Sequence, residues 1–72
     1  MNNLKFIVLK YESEYFRGFY NQEPEFTEYV EEAMKFFDKN EVGKYLSSLS
    51  KSQLSSILSM KLKVVEITRV KK

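Results

Sequence analysis

Apolar residues enter this chain at a spacing of two and later at a spacing of three to four. Residues 4–11, LKFIVLKY, set Leu4, Phe6 and Val8 on one side of an extended chain and Ile7, Leu9 and Tyr11 on the other, so both faces are available for burial. Glu12, Ser13 and Glu14 interrupt the run. YFRGFY, residues 15–20, resumes it, with Tyr15, Arg17 and Phe19 projecting to one side and Phe16 and Tyr20 to the other. The two runs predict a β-hairpin, although the turn lacks Asn-Gly. Gly18 inside the second run predicts a bulge or a close backbone approach.

NQEPEF, residues 21–26, predicts a loop leading into a helix, since proline is tolerated in a first turn. Phe26, Tyr29, Val30, Ala33, Met34, Phe36 and Phe37 then form one stripe at helical spacing, opposite Thr27, Glu28, Glu31, Glu32 and Lys35. Glu31 stands four residues before Lys35, the favourable order for a helical ion pair, and acidic residues at the start suit the helix dipole. This stripe predicts the first helix.

Two hexapeptides follow with a shared order of residue types, FDKNEV at 37–42 and LSKSQL at 49–54. Asp38 is placed to cap a helix, with Glu41 three residues on to reach back to the cap's own N–H, a capping box. Phe37 and Val42 have the spacing of a hydrophobic staple. Ser50, Gln53, Leu49 and Leu54 repeat the arrangement. Val42, Tyr45, Leu46 and Leu49 continue the first box as an apolar stripe, and Leu54, Ile57 and Leu58 continue the second. The jump from Leu49 to Leu54 breaks the phase, so each hexapeptide starts its own helix. Gly43 inside the first costs about 1 kcal/mol relative to alanine, and close approach of another backbone is the expected reason for it. KLKVVEITRVKK, residues 61–72, predicts a closing strand with Leu62, Val64 and Val70 on one face and Val65 and Ile67 on the other. Its lysines are a common protection for a sheet edge. The whole is one α+β domain: an N-terminal β-hairpin, two to three helices on one face, and a C-terminal strand completing a small antiparallel or mixed sheet.

Composition narrows the possibilities. Seventy-two residues hold one core with a thin stability margin. Cysteine and histidine are absent, which removes disulfides and the usual zinc sites. Stability then rests on packing, or on association with a second copy or another protein. The lack of cysteine fits a reducing cytoplasm. FIVL is too short for a signal peptide, and no run approaches the roughly 20 apolar residues that span a bilayer. The net charge of +2 is unevenly spread: residues 1–20 carry +1, residues 21–41 carry −5 and residues 42–72 carry +6. The chain thus has an acidic segment and a basic one.

Candidate chemistry is sparse. Without His or Cys the commonest general base and the most reactive nucleophile are missing. Seven serines between Ser47 and Ser59 lie near Lys51, but capping and solvated helix faces account for them. Glu28, Glu31 and Glu32 fall opposite the apolar stripe, which suits an acidic docking face better than paired catalytic carboxylates. Tyr15, Arg17 and Phe19, with Lys61, Lys63, Arg69, Lys71 and Lys72, have the composition of a base-stacking, phosphate-holding surface. One face of the hairpin must also form the core, the first expectation for two or three of these aromatics; a protein–protein hot spot comes second and nucleic acid third.

YFRGFY, AMKFFDKNEVGKYLSSL and LKVVEITRV together resemble a loose group of small uncharacterised proteins from phages and prophages of low-GC bacteria. The resemblance spans most of the chain and implies a viral or prophage protein in the host cytoplasm, with no activity attached. It also implies that residues 35–37 are a short strand and that the first helix ends near Ala33. The SKSQLSSIL helix is an addition to that pattern. The expectation is a non-enzymatic protein-binding or regulatory module with a host or viral protein partner and no catalytic, cofactor or metal residue. Its candidate interaction surface is Tyr15, Arg17, Phe19, Glu28, Glu31, Glu32, Lys63 and Arg69. A nucleic-acid-binding accessory protein using the hairpin and basic C-terminus is the alternative, homo-oligomerisation is a further possibility, and no membrane partner is expected.

Overall fold

A computed structural model describes the backbone of residues 2–71 and the side chains of residues 5–68. In chain order the elements are β1 (Asn2–Tyr11), β2 (Glu14–Tyr20), β3 (Glu23–Thr27), a 3-10 turn (Val30–Glu32), α1 (Lys39–Ser47), α2 (Lys51–Met60) and β4 (Lys63–Lys71). The strands form one antiparallel sheet in the order β3-β2-β1-β4. The α+β class, the N-terminal hairpin and the C-terminal strand agree with the sequence pattern; the α-helices among the described residues number two.

β1 is a central strand covered on both sides. Ile7, Val8 and Leu9 are consecutive and all buried, which the doubly apolar pattern of residues 4–11 anticipates. Ile7 and Leu9 join Phe16, Phe36, Val42 and Ile57 in the main core beneath the helices. Val8 points to the far face by strand alternation, beside Val65 of β4. The side chain of Leu4, expected on that far face, lies outside the described residues.

The helix expected over residues 26–37 does not form. Asn21 and Gln22 make a two-residue turn with φ of 51° and 70°, and Glu23–Thr27 folds back as a strand on β2. The cause is tertiary. β2 would otherwise present an open edge, and pairing sets Phe26 opposite Phe16 with ring centroids 5.9 Å apart. After the 3-10 turn the chain is extended. β1 and β2 pair only near their turn, at Lys10–Tyr15 and Tyr11–Glu14. Beyond it, residues 34–36 occupy the space between the strands. The Met34 N–H donates to the Phe16 carbonyl at 3.0 Å, and Ile7 and Phe36 exchange two bonds of 2.7 and 2.8 Å. Backbone groups freed by the parting of the hairpin are thereby satisfied. Phe36 is buried, while Tyr29 and Phe37, which the helical stripe placed inside, are exposed. Lys35, expected to pair with Glu31 across a helical turn, donates to the Glu31 and Ala33 carbonyls at 2.8 and 3.2 Å.

Both helix starts fall where the hexapeptides put them. Asp38 caps α1, its Oδ1 accepting from the Glu41 N–H at 3.0 Å. Glu41 reaches back one residue beyond the cap, accepting from the Phe37 N–H at 2.6 Å. The box on α2 is complete, with Gln53 N–H to Ser50 Oγ at 3.2 Å and Ser50 N–H to Gln53 Oε1 at 3.1 Å. Phe37 is 77% exposed, so the expected staple with Val42 buries little of it. Gly43 is not explained by a close backbone either: a Cβ there would meet nothing within 4 Å.

Gly18 does mark a bulge. The β2–β3 register shifts between Phe16 and Gly18, and Gly18 sits at φ +125°. The bulge breaks the alternation read from residues 15–20. Phe19 leaves the side of Tyr15 and packs edge-on against Phe16, with centroids 5.4 Å apart. Phe16, fully buried, is also ringed by Phe26 and Tyr45.

Candidate interaction surface

The eight residues proposed from sequence do not make one surface. Tyr15 is half-buried on the far face of the sheet, with the Lys10 ammonium 5.7 Å from its ring centroid. Arg17 approaches Glu32 at 3.6 Å, and the same carboxylate oxygen accepts from Thr27 Oγ1 at 3.0 Å. Both partners of that ion pair are about half exposed, so it contributes little stability. Phe19 belongs to the core margin instead. Glu28 and Glu31 are exposed, Glu28 just after β3 and Glu31 within the 3-10 turn. Lys63 starts β4 at the opposite edge, directly across from Lys10. The Arg69 backbone lies farther along β4, opposite Leu4, and its side chain is outside the described residues. The structure therefore joins Arg17 to Glu32, sets Tyr15 beside Lys10, and leaves Phe19 and Lys63 elsewhere.

A second surface was not singled out by sequence. α2 crosses the sheet from β3 toward β4: its cap, Ser50, donates to Gln22 Oε1 at 3.1 Å, and α2 packs against β3. Its far end stands over Leu9 of β1 and Val64 of β4. There Leu9, Leu46, Ile57, Leu58, Leu62 and Val64 line an open groove of about 150 Å³, with Lys61 at its rim. Leu58 is 60% exposed and Val64 51% exposed. Lys61 ends α2 with φ 55°, turning the chain so that Leu62 and Val64 face back under the helix. The signal was present as the stripes through Leu58 and Val64, but periodicity alone assigns such residues to a core. Their exposure follows from β4 being the last strand of the sheet.

The serines serve helix backbone. Ser48, Ser56 and Ser59 donate to the carbonyls of Tyr45, Ser52 and Ser56. Lys51, Ser55 and Ser59 share one open face of α2 with Leu54 and Leu58. Among the described residues, no group of three His, Cys, Asp or Glu is placed to hold a metal ion, and no buried side-chain nitrogen or oxygen lacks a partner. Among the described residues, no helix is long and apolar enough to cross a membrane. Burial pushes the Tyr45 hydroxyl above its usual range. No protein-family model, curated protein or solved structure matches the chain.

Proposed function

We propose that this chain is a non-enzymatic protein-binding module that acts by occupancy, covering part of a partner's surface. The observation that carries the reading is the apolar groove beside β4, into which two large exposed side chains, Leu58 and Val64, open. Contiguous exposed apolar surface rimmed by charge is a feature of interaction sites, whereas single exposed leucines are not. A photo-crosslinking residue in place of Leu58, with another in place of Glu28 as a control, tests this in the cells that encode the protein. The expected result is protein adducts from position 58 that survive nuclease. Adducts removed by nuclease, or none from either position, would sink the reading.

A nucleic-acid-binding function has one observation in its favour. On the sheet face away from the helices, Lys10 lies over Tyr15 and Lys35 over Phe6, each 5.7 Å from the ring centroid. Aromatic rings beside cations are the elements of a single-strand platform. Titration against single- and double-stranded oligonucleotides separates the two readings. Affinity that falls steeply with salt supports this second one, and no binding at low salt removes it.

A further inference from the structure

We infer that the free edge of β4 takes up an extended, acidic segment of the partner, adding it as a fifth strand with its apolar side chains entering the groove beneath α2. The inference rests on the protein-binding reading above and names the partner's chemistry.

The sheet has two edges, and they differ. β3 is five residues long and contains Pro24, which lacks an N–H and suits an edge that does not accept another strand. β4 runs for nine residues and has only β1 beside it. Among the described residues, no backbone bond outside the sheet reaches Lys63–Thr68. Its outward N–H and C=O groups form a ladder that a further strand can complete. In an added strand, side chains beside Val64 and Glu66 project toward the helix side by alternation. The first of these comes against Leu58, Leu62 and Val64, where the groove is open.

Charge selects the occupant. β4 carries Lys63, Arg69 and Lys71 against a single acid, Glu66, and Lys61 stands at the groove rim. Two copies joined through β4 would set two net positive strands side by side, which like charges across a strand pair oppose. The acidic strand this chain offers is β3, and its proline and short length make it a poor complement. An acidic strand from another protein meets neither obstacle. Edge lysines thus discourage self-pairing while admitting a partner of opposite sign.

The probe is a synthetic peptide alternating Glu with Val and Leu, about as long as β4. It is compared with a version carrying Lys for every Glu and with one carrying Pro at alternate positions. Fluorescence anisotropy reads affinity, and amide hydrogen exchange over residues 63–68 reads the location. The acidic peptide is expected to bind saturably and slow exchange in β4, with the Lys and Pro versions weaker by about tenfold or more. Leu58→Ser and Val64→Ser, both at exposed positions, should weaken it similarly, while Glu28→Ala should not. Equal binding of the acidic and basic peptides overturns the inference, as does protection confined to β3. So does slow β4 exchange without peptide together with a sedimentation mass that rises with concentration, because a second copy then fills the edge. If no peptide binds while position 58 still gives protein adducts, the strand-addition idea falls and the protein-binding reading stands; loss of the adducts too fells both.

Discussion

Asp38 and Ser50 each use one side-chain oxygen to close the first turn of a helix, but their surroundings differ. The Glu41 carboxylate accepts from the N–H of Phe37, one residue before Asp38, whereas Ser50 has a reciprocal partner in Gln53 and also donates to Gln22 in the β2–β3 turn. Asp38→Ala should cost about 1 kcal/mol, and Ser50→Ala should cost more, toward about 2 kcal/mol. Urea titration of the two variants checks the order, and equal losses would mean the Gln22 contact adds nothing. Tyr45 gives a pH signature. Its raised pKa means that the folded chain keeps the phenol proton after the unfolded chain has lost it. Stability is therefore intact below about pH 10 and falls as the pH climbs from there through the folded value. Tyr45→Phe should flatten that part of the alkaline decline, read as the urea midpoint across the alkaline range.

At the scale of elements, the two glycines make opposite predictions. Gly18 holds φ +125° in the β2 bulge, where any L side chain is strained, although a Cβ would meet Met34 Cε only at an ordinary contact of 3.6 Å. Gly18→Ala should destabilise by about 1–3 kcal/mol. Gly43 lies in α1 with open space around it, so Gly43→Ala should stabilise by about 1 kcal/mol. Thermal melts of both variants settle the pair, and a loss at Gly43 would indicate a requirement the packing does not reveal. The β1–β4 pairing carries a further liability, because Lys10 and Lys63 face each other in register. Lys63→Glu should raise stability by about 0.2–1 kcal/mol, and by the charge argument it should also weaken the acidic peptide at β4.

Over the whole molecule, the sheet order turns a linear charge pattern into a spatial one. The acidic β3 sits at one edge and the basic β4 at the other, with β2 and β1 between. Among the described residues, the largest fully buried side chains are Phe16 and Val8. A domain this small has about 4–11 kcal/mol in total, and Phe16→Ala should remove about 3–5 kcal/mol of it. That variant should melt well below the parent by circular dichroism; a native-like melt would show that the surrounding aromatic rings collapse into the space.

The chain's own order of residues determined what depends on near neighbours. Both helix starts were legible because a cap bonds to a backbone group three residues away, and β1 because two apolar faces alternate within a few residues. The Gly18 bulge was legible for the same local reason. Tertiary structure alone decided the rest. Residues 26–37 have a helical stripe, yet Phe26 pairs with Phe16 and Phe36 with Ile7, because an unpaired strand edge gains more from a partner than a short isolated helix gains from propensity. The β2–β3 turn was invisible because Asn21 and Gln22 adopt positive φ without glycine. Which apolar residues stayed exposed was decided last, when β4 took the outer place and left Leu58 and Val64 with no strand beyond them.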